Sequence, residues 1–178
     1  VFFDFKKEAV ADLGSCGATA AESNKDLAAQ VDVVITMVPN SPHVRAAVLG
    51  ENGVVEGAKE GLVVIDMSSI DPTESKAIGA ELAKHGIDML DCPVSGGEPK
   101  AIDGNLSVMC GGKKELFDKY YDMLMVMAGS VVYVGDLGSG NLATLANQMV
   151  VAITIAAVAE TLPLDKTAGT APELVYQA

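Results

Sequence analysis

An α/β fold with a mostly parallel sheet is predicted by three features of this chain. Val31-Asp-Val-Val-Ile-Thr-Met-Val38 and Leu62-Val-Val-Ile-Asp66 are nearly unbroken β-branched runs, as in strands covered on both faces. Helix-forming stretches alternate with such runs along the chain, which favours parallel pairing. From Asn141 onward an apolar stretch without a polar face predicts one long helix.

The elements follow in order. Val1-Phe-Phe-Asp4 reads as the tail of a strand, and helices are expected over Lys6 to Leu13 and Asn24 to Gln30. The run from Val31 stops at Pro39-Asn40-Ser41-Pro42, because proline fixes φ and lacks the N–H that a strand needs. Asp71-Pro-Thr-Glu74 is a helix start with Asp71 as N-cap, Pro72 at N1 and Glu74 at N3. That helix is expected to end near His85-Gly86, where glycine suits the C′ position. A strand over Ile87 to Val94, a Ser95-Gly96-Gly97 turn and a strand over Leu106 to Cys110 come next. Lys113 to Met127 reads as a two-faced helix, and Ser130 to Val134 as a short strand. Gly135-Asp-Leu-Gly-Ser-Gly140 is a glycine-rich linker, so a boundary is expected near residue 138, dividing 1–137 from 138–178. A helix apolar all round is usually enclosed by others; only Pro172 to Ala178 follows here, so the chain is expected to be truncated or to rely on another copy of itself, and Pro163 is expected to kink or end the helix.

Bulk properties narrow the function. The 178 residues are 49% hydrophobic, enough for a core, and carry a net charge of −12. Nucleic acid and anionic membrane are poor partners for such a chain, since both need clustered Lys and Arg. Aromatics are only 4% and Trp is absent, which also argues against base stacking. The cysteines, Cys16, Cys92 and Cys110, form no C-x-x-C pair and read as free thiols in a reducing, cytoplasmic setting. His43 and His85 lie far apart, so no zinc spacing is present and no metal is expected. No signal peptide is legible. Leu142 to Leu162 is interrupted by Asn147, Gln148 and Glu160, so a buried soluble helix is expected rather than a membrane span.

Several segments carry candidate chemistry. Two glycines after a buried strand let the backbone approach a ligand, and Ser95 adds a hydroxyl, a combination that suits a small carboxylate. The structural alternative is a tight turn that needs glycine. Val38-Pro39-Asn40 and Ser68-Ser69 each follow a buried strand at its carboxyl end, where ligands sit in open α/β sheets. A rigid proline turn and a helix lead-in are the alternatives. Asp4, at a strand end, suits the ribose hydroxyls of an adenosine and repels a 2′-phosphate, which favours NAD over NADP. Lys6 and Lys7 oppose that preference, and a solvated turn Asp is the alternative. No G-x-G-x-x-G turn precedes Asp4; Gly14 and Gly17 follow it, so the pyrophosphate cradle is expected upstream of residue 1. Thr144, Asn147 and Gln148 share one face of the long helix, where polar groups need a partner or a purpose.

Met-Val-Pro-Asn-Ser-Pro-His (37–43), Ile-Asp-Met-Ser-Ser-Ile (65–70), Asp-Cys-Pro-Val-Ser-Gly-Gly-Glu-Pro-Lys-Ala (91–101) and Gly-x-Gly-Asn-x-x-x-Leu-Ala-Asn-Gln (138–148) are specific strings. Together they make the chain resemble the β-hydroxyacid dehydrogenases, related to 3-hydroxyisobutyrate dehydrogenase, on the tartronate semialdehyde (2-hydroxy-3-oxopropionate) reductase branch. The resemblance spans nearly the whole chain. It implies a Rossmann-like NAD(P) domain, here without its first strand and glycine loop, then a long helix opening an all-α domain, and homo-oligomers. It implies that Asp4 reads the adenosine ribose and that Val38, Pro39, Asn40 and Ser69 line the cofactor. Ser95, Gly96 and Gly97 would hold the carboxylate of a small aldehyde or hydroxyacid, with Asn147 close by.

The family's catalytic lysine aligns with Thr144, a hydroxyl that hydrogen-bonds but supplies no positive charge. Losing a general acid typically costs a factor of ~10²–10⁴ in rate. Lys166 lies about six turns further along the helix and is no substitute. Glu98-Pro99-Lys100 favours the tartronate semialdehyde branch over a 3-hydroxyisobutyrate enzyme. A phosphorylated substrate fits less well, with Lys100 as the one obvious cation nearby. The alternative to an enzyme is a non-catalytic chain of the same fold that binds a ligand or assembles with another subunit.

Overall fold

The computed structural model describes residues 1–177, apart from the side chains of Asp165, Lys166 and Pro172. The expectations for Lys166 and Ala178 thus lie outside the described residues. Two compact units are present, Val1–Thr144 and a second from Leu145 onward.

The first unit opens with α1 (Lys7–Ser15) and α2 (Asn24–Ala29), the latter capped by Ser23, whose hydroxyl accepts from Asp26 N. The expected strand at Val1–Asp4 is reduced to a single parallel bridge between Phe2 and Ala20. Then come β1 (Val33–Thr36), α3 (Ser41–Leu49), α4 (Val54–Gly57), β2 (Val63–Asp66), α5 (Pro72–Ala83) and β3 (Asp88–Asp91). β4 (Val94–Ser95), α6 (Gly97–Ile102), β5 (Leu106–Gly111), α7 (Lys114–Met125) and β6 (Ala128–Gly135) complete the sheet. α8 (Ser139–Thr167) starts in this unit, and α9 (Pro172–Gln177) lies in the second.

The sheet runs β1-β2-β3-β5-β4, with β6 beside β5. β1, β2 and β3 are parallel, β5 is antiparallel to β3 and β4, and β6 is parallel to β5. β2 is buried at every residue, which is why its sequence never alternates with polar residues. Its side chains still divide between two faces. Val64 packs with Val44, Val48, Ile78 and Leu82 of α3 and α5, while Val63 and Ile65 pack with Phe117, Tyr120 and Leu124 of α7. Each such fully buried aliphatic side chain contributes roughly 1.5–3 kcal/mol.

Helix α5 keeps the expected start and stop. The Asp71 carboxylate accepts from Thr73 N at 2.7 Å, and Gly86 takes a φ of 72° just beyond the end. The single strand expected over Ile87 to Val94 is instead split at Cys92-Pro93. Asp91 pairs with Gly111, Val94 with Val108 and Ser95 with Ser107, so both pieces keep one register along β5. Pro93 has no N–H to donate, which breaks the ladder between them. The expected polar turn after Gly96 winds into α6, with Pro99 inside its first turn, where a missing N–H is tolerated. α3 and α4 fill the stretch between β1 and β2, where no helix was expected.

α8 continues through Pro163 to Thr167, so the proline does not end it, and much of its apolar surface is uncovered within this chain. Met149, Val150, Ile153 and Ile155 are each more than 60% exposed in this chain. By length and composition alone, Ser139–Leu164 is also sufficient to cross a membrane.

The start of α8 is held by a buried carboxylate. Asp91, at the end of β3, accepts from Gly138 N at 2.7 Å and from Asn141 N at 2.8 Å. Asn141 Oδ1 accepts from Ile70 N at 2.9 Å, and its amide donates to Ser75 Oγ at 3.1 Å. Gly140 fits only because it lacks a side chain: a Cβ there would fall inside contact distance of the Asp91 and Met109 carbonyl oxygens. Backbone atoms cannot yield as a flexible side chain does. Gly140→Ala is therefore expected to destabilise the first unit by about 1–3 kcal/mol, read as a lower urea midpoint. An unchanged midpoint would show that α8 starts without this close approach.

Candidate functional site

Parallel register sets the carboxyl ends of three strands side by side: Thr36 opposite Asp66, and Asp66 opposite Asp91. The loops that leave this edge carry the candidate residues. Val38 is half-buried, while Pro39, Asn40 and Ser69 are exposed. The first two loops are tied together, since Val38 N donates to Ser68 Oγ at 2.9 Å and Asp71 N to Ser41 Oγ at 3.2 Å. Asn40 caps α3 through its backbone, with the carbonyl accepting from His43 N and Val44 N, and its side-chain oxygen meets His43 Nδ1. Asp4 is exposed, and its carboxylate accepts from Lys6 N at 2.7 Å.

Beneath the loops lies Asp66, fully buried. Its Oδ1 accepts from Thr36 Oγ1 at 2.8 Å and from Ser68 N at 3.1 Å, while Oδ2 has no protein partner. Burial pushes the Asp66 carboxyl up from 3.8, more strongly than its hydrogen bonds hold it down. Asp91 is also raised, first by burial and in smaller part by the nearby Asp66 charge.

The substrate-type residues extend beyond this edge. β4 continues the line of β3, so Ser95 stands four residues past Asp91, roughly 13 Å further along the strand direction. Gly96 and Gly97 follow with φ of 143° and 67°, a conformation that side chains disfavour and that leaves both residues exposed. Ser95 faces Ser107 across the ladder, and Met109 lies on the same face of β5 as Ser107. Thr144 is buried against that face, with its hydroxyl donating to Met109 Sδ at 3.3 Å. Ser95 and Thr144, distant in sequence, thus belong to one face of one ladder. Asn147 belongs to the second unit, where its amide donates to Gln148 Oε1 at 3.1 Å.

Sequence reasoning missed Asp66, Asp91 and Asn141. The signal was present in Asp66, since an acidic residue closing an apolar β-branched run is costly unless bonded. Among the described residues no group of three or more metal-ligating side chains occurs.

Raised acid pKa values set the sign of a pH effect. The folded chain takes up protons that the unfolded chain has released. The stability from Asp66 is therefore fully present below about pH 4 and lost as pH rises through its folded value. Asp66→Asn keeps the acceptor for Thr36 and Ser68 without the charge. It is expected to raise neutral-pH stability and to flatten the decline above pH 4, measured by urea unfolding across pH. Equal pH slopes in both proteins would contradict this.

Comparison with known proteins agrees with the geometry. A family model described as the NAD binding domain of 6-phosphogluconate dehydrogenase matches residues 1–135. The chain is 38% identical over 167 residues to the 2-hydroxy-3-oxopropionate reductase of Escherichia coli K12, covering 94% of this chain and 57% of that protein. It is 36% identical over 173 residues to a probable mitochondrial 3-hydroxyisobutyrate dehydrogenase of Dictyostelium discoideum, covering 97% and 54%. Among solved structures, Mycobacterium tuberculosis 3-hydroxyisobutyrate dehydrogenase with L-serine superimposes with a TM-score of 0.89 at 32% identity, over 95% of this chain and 57% of that one. The chain spans about half the length of the curated relatives it matches. It belongs to the NAD-binding family of 6-phosphogluconate dehydrogenase, and over nearly its whole length it is similar to hydroxyacid dehydrogenases and reductases related to 3-hydroxyisobutyrate dehydrogenase.

Proposed function

We propose that this member of the family serves an NAD-dependent interconversion of a small β-hydroxyacid and its aldehyde, with 2-hydroxy-3-oxopropionate and glycerate as the pair. The observation that carries this reading is the shared face of Ser95 and Thr144 on the β4–β5 ladder, beyond the carboxyl edge of β1, β2 and β3. An open α/β sheet binds ligands at that edge.

The residues present fit the sugar and nicotinamide side of the cofactor. Val38, Pro39, Asn40 and Ser69 offer an apolar wall, an amide and a hydroxyl on two loops joined by the Val38–Ser68 bond. The orphaned oxygen of Asp66 lies beneath those loops, a buried acceptor awaiting a donor. Asp4, exposed and anionic, favours NAD over NADP. When bound, the nicotinamide supplies or accepts the hydride.

The chain's own residues bind and orient the substrate. Ser95 donates its hydroxyl to the substrate carboxylate, and Gly96 and Gly97 admit that group close to the backbone. Thr144 turns its hydroxyl from the Met109 sulfur, a weak acceptor, toward the substrate oxygen. It stabilises charge there by hydrogen bonding and transfers no proton at neutral pH.

A second reading rests on Thr144 itself and on the exposed apolar length of α8: a non-catalytic chain of the same fold that binds a carboxylate or assembles into homo-oligomers. Kinetics separate the two. NADH oxidation by tartronate semialdehyde is expected to be slow in this chain and faster by ~10²–10⁴ in Thr144→Lys, where a general acid is supplied. The lysine variant alone should lose rate as pH rises and the ammonium deprotonates; threonine gives no such limb. No NADH oxidation by either protein would sink the enzymatic reading and favour the second.

A further inference from the structure

Cys92 and Cys110 take no part in the site described above. Asp91 pairs with Gly111, Val94 with Val108 and Ser95 with Ser107, and Met109 N donates to Pro93 O at 3.1 Å. The same register sets Cys92 opposite Cys110. The flanking bonds at Asp91–Gly111 and Pro93–Met109 make this a non-hydrogen-bonded position, where facing Cα atoms stand about 4.5 Å apart and side chains come closest. The two sulfurs are 3.1 Å apart, and both residues are fully buried and free. A disulfide spans Cα separations of about 4.4–6.8 Å with sulfurs near 2.05 Å, so the pair has about 1 Å to close.

We propose that Cys92 and Cys110 form a redox-active dithiol that closes to an intramolecular disulfide, with a hydroperoxide as the oxidant. One thiolate attacks the peroxide; an S–O bond forms, the O–O bond breaks, and water or an alcohol leaves, giving a sulfenic acid. The facing thiol then attacks that sulfur; the S–S bond forms, the S–O bond breaks, and water leaves. The two sulfurs lose two electrons and the peroxide gains them. A small dithiol reverses the step by exchange. The bond would pin Cys92-Pro93 to β5 next to Ser95-Gly96-Gly97, immobilising the base of that loop.

Burial controls the rate. Cys92 donates its S–H to Cys110, and this bond together with burial pushes its thiol far above the usual range. The reaction therefore waits on local opening of the core around the pair, whereas Cys16 is exposed. A Cys16→Ser background removes that competing thiol.

Such a protein is incubated with hydrogen peroxide, quenched, unfolded in N-ethylmaleimide and digested with trypsin. Cleavage after Lys84, Lys100 and Lys113 places the two cysteines on separate peptides, 85–100 and 101–113. The expected result is a cross-linked pair lacking both thiol hydrogens, lost on treatment with dithiothreitol and absent in Cys110→Ser. Full alkylation of both cysteines, at a peroxide dose that oxidises a reference dithiol in the same tube, would overturn the proposal. So would sulfinic acid at either cysteine without the cross-link.

Discussion

The carboxylate of Asp91 is the point on which the arrangement of the first unit turns. It closes β3, lies fully buried, and receives the backbone N–H groups of Gly138 and Asn141 at the start of α8. A helix N-terminus presents unpaired donors and partial positive charge, and anions there are favourable. Gly138-x-Gly140-x-x-Ala143, after β6 and opening α8, has the spacing of a phosphate-binding glycine turn. Here the anion is internal. Asp91 fills the place a ligand phosphate takes elsewhere, and α8 is locked to the sheet. The cost is desolvation of a carboxylate beside that of Asp66, and the raised pKa of both groups reflects it.

That lock determines what the edge of the sheet presents. Thr144 lies one turn past Asn141, so anchoring Asn141 through Asp91, Ile70 and Ser75 places the threonine against Met109. Gly140 and Gly111 supply the clearance, each having neighbours where a Cβ would sit. The split strand supplies the other half. β3 ends at Asp91 inside the core, Pro93 interrupts the ladder, and β4 resumes the same register beyond the edge with Ser95. One line of backbone thus carries both the structural carboxylate and the candidate substrate hydroxyl.

Much of this fold was legible because its signals are local. β2 is buried at every residue and reads so in its β-branched run; α5 announces itself through Asp71, Pro72 and Gly86. α3 and α4 were missed because Pro39-Asn40-Ser41-Pro42 reads as an interruption, although Pro42 serves as an early helical residue. The contacts that matter most at the edge join residues 47 and 50 positions apart, Asp91 to Gly138 and Asn141, and no sequence period encodes them. The facing of Cys92 and Cys110 depends likewise on antiparallel register. α8 runs on through Pro163 although the lost backbone bond costs ~3 kcal/mol in a helix interior. Of the candidate residues, those on Val38–Asn40, Ser69 and Ser95–Gly97 were recognisable from strand ends and glycines. The setting of Thr144 emerged only with the Met109 contact.

Amide hydrogen exchange at Gly138 and Asn141, compared between the chain and Asp91→Asn, tests the role of this carboxylate most directly. Asn retains one acceptor oxygen and loses the charge. The expected result is strong protection of both amides in the parent and about 10–100-fold faster exchange in the variant, with Val64 and Ile65 of β2 unchanged. Equal protection in the two proteins would mean that α8 is anchored by something other than Asp91.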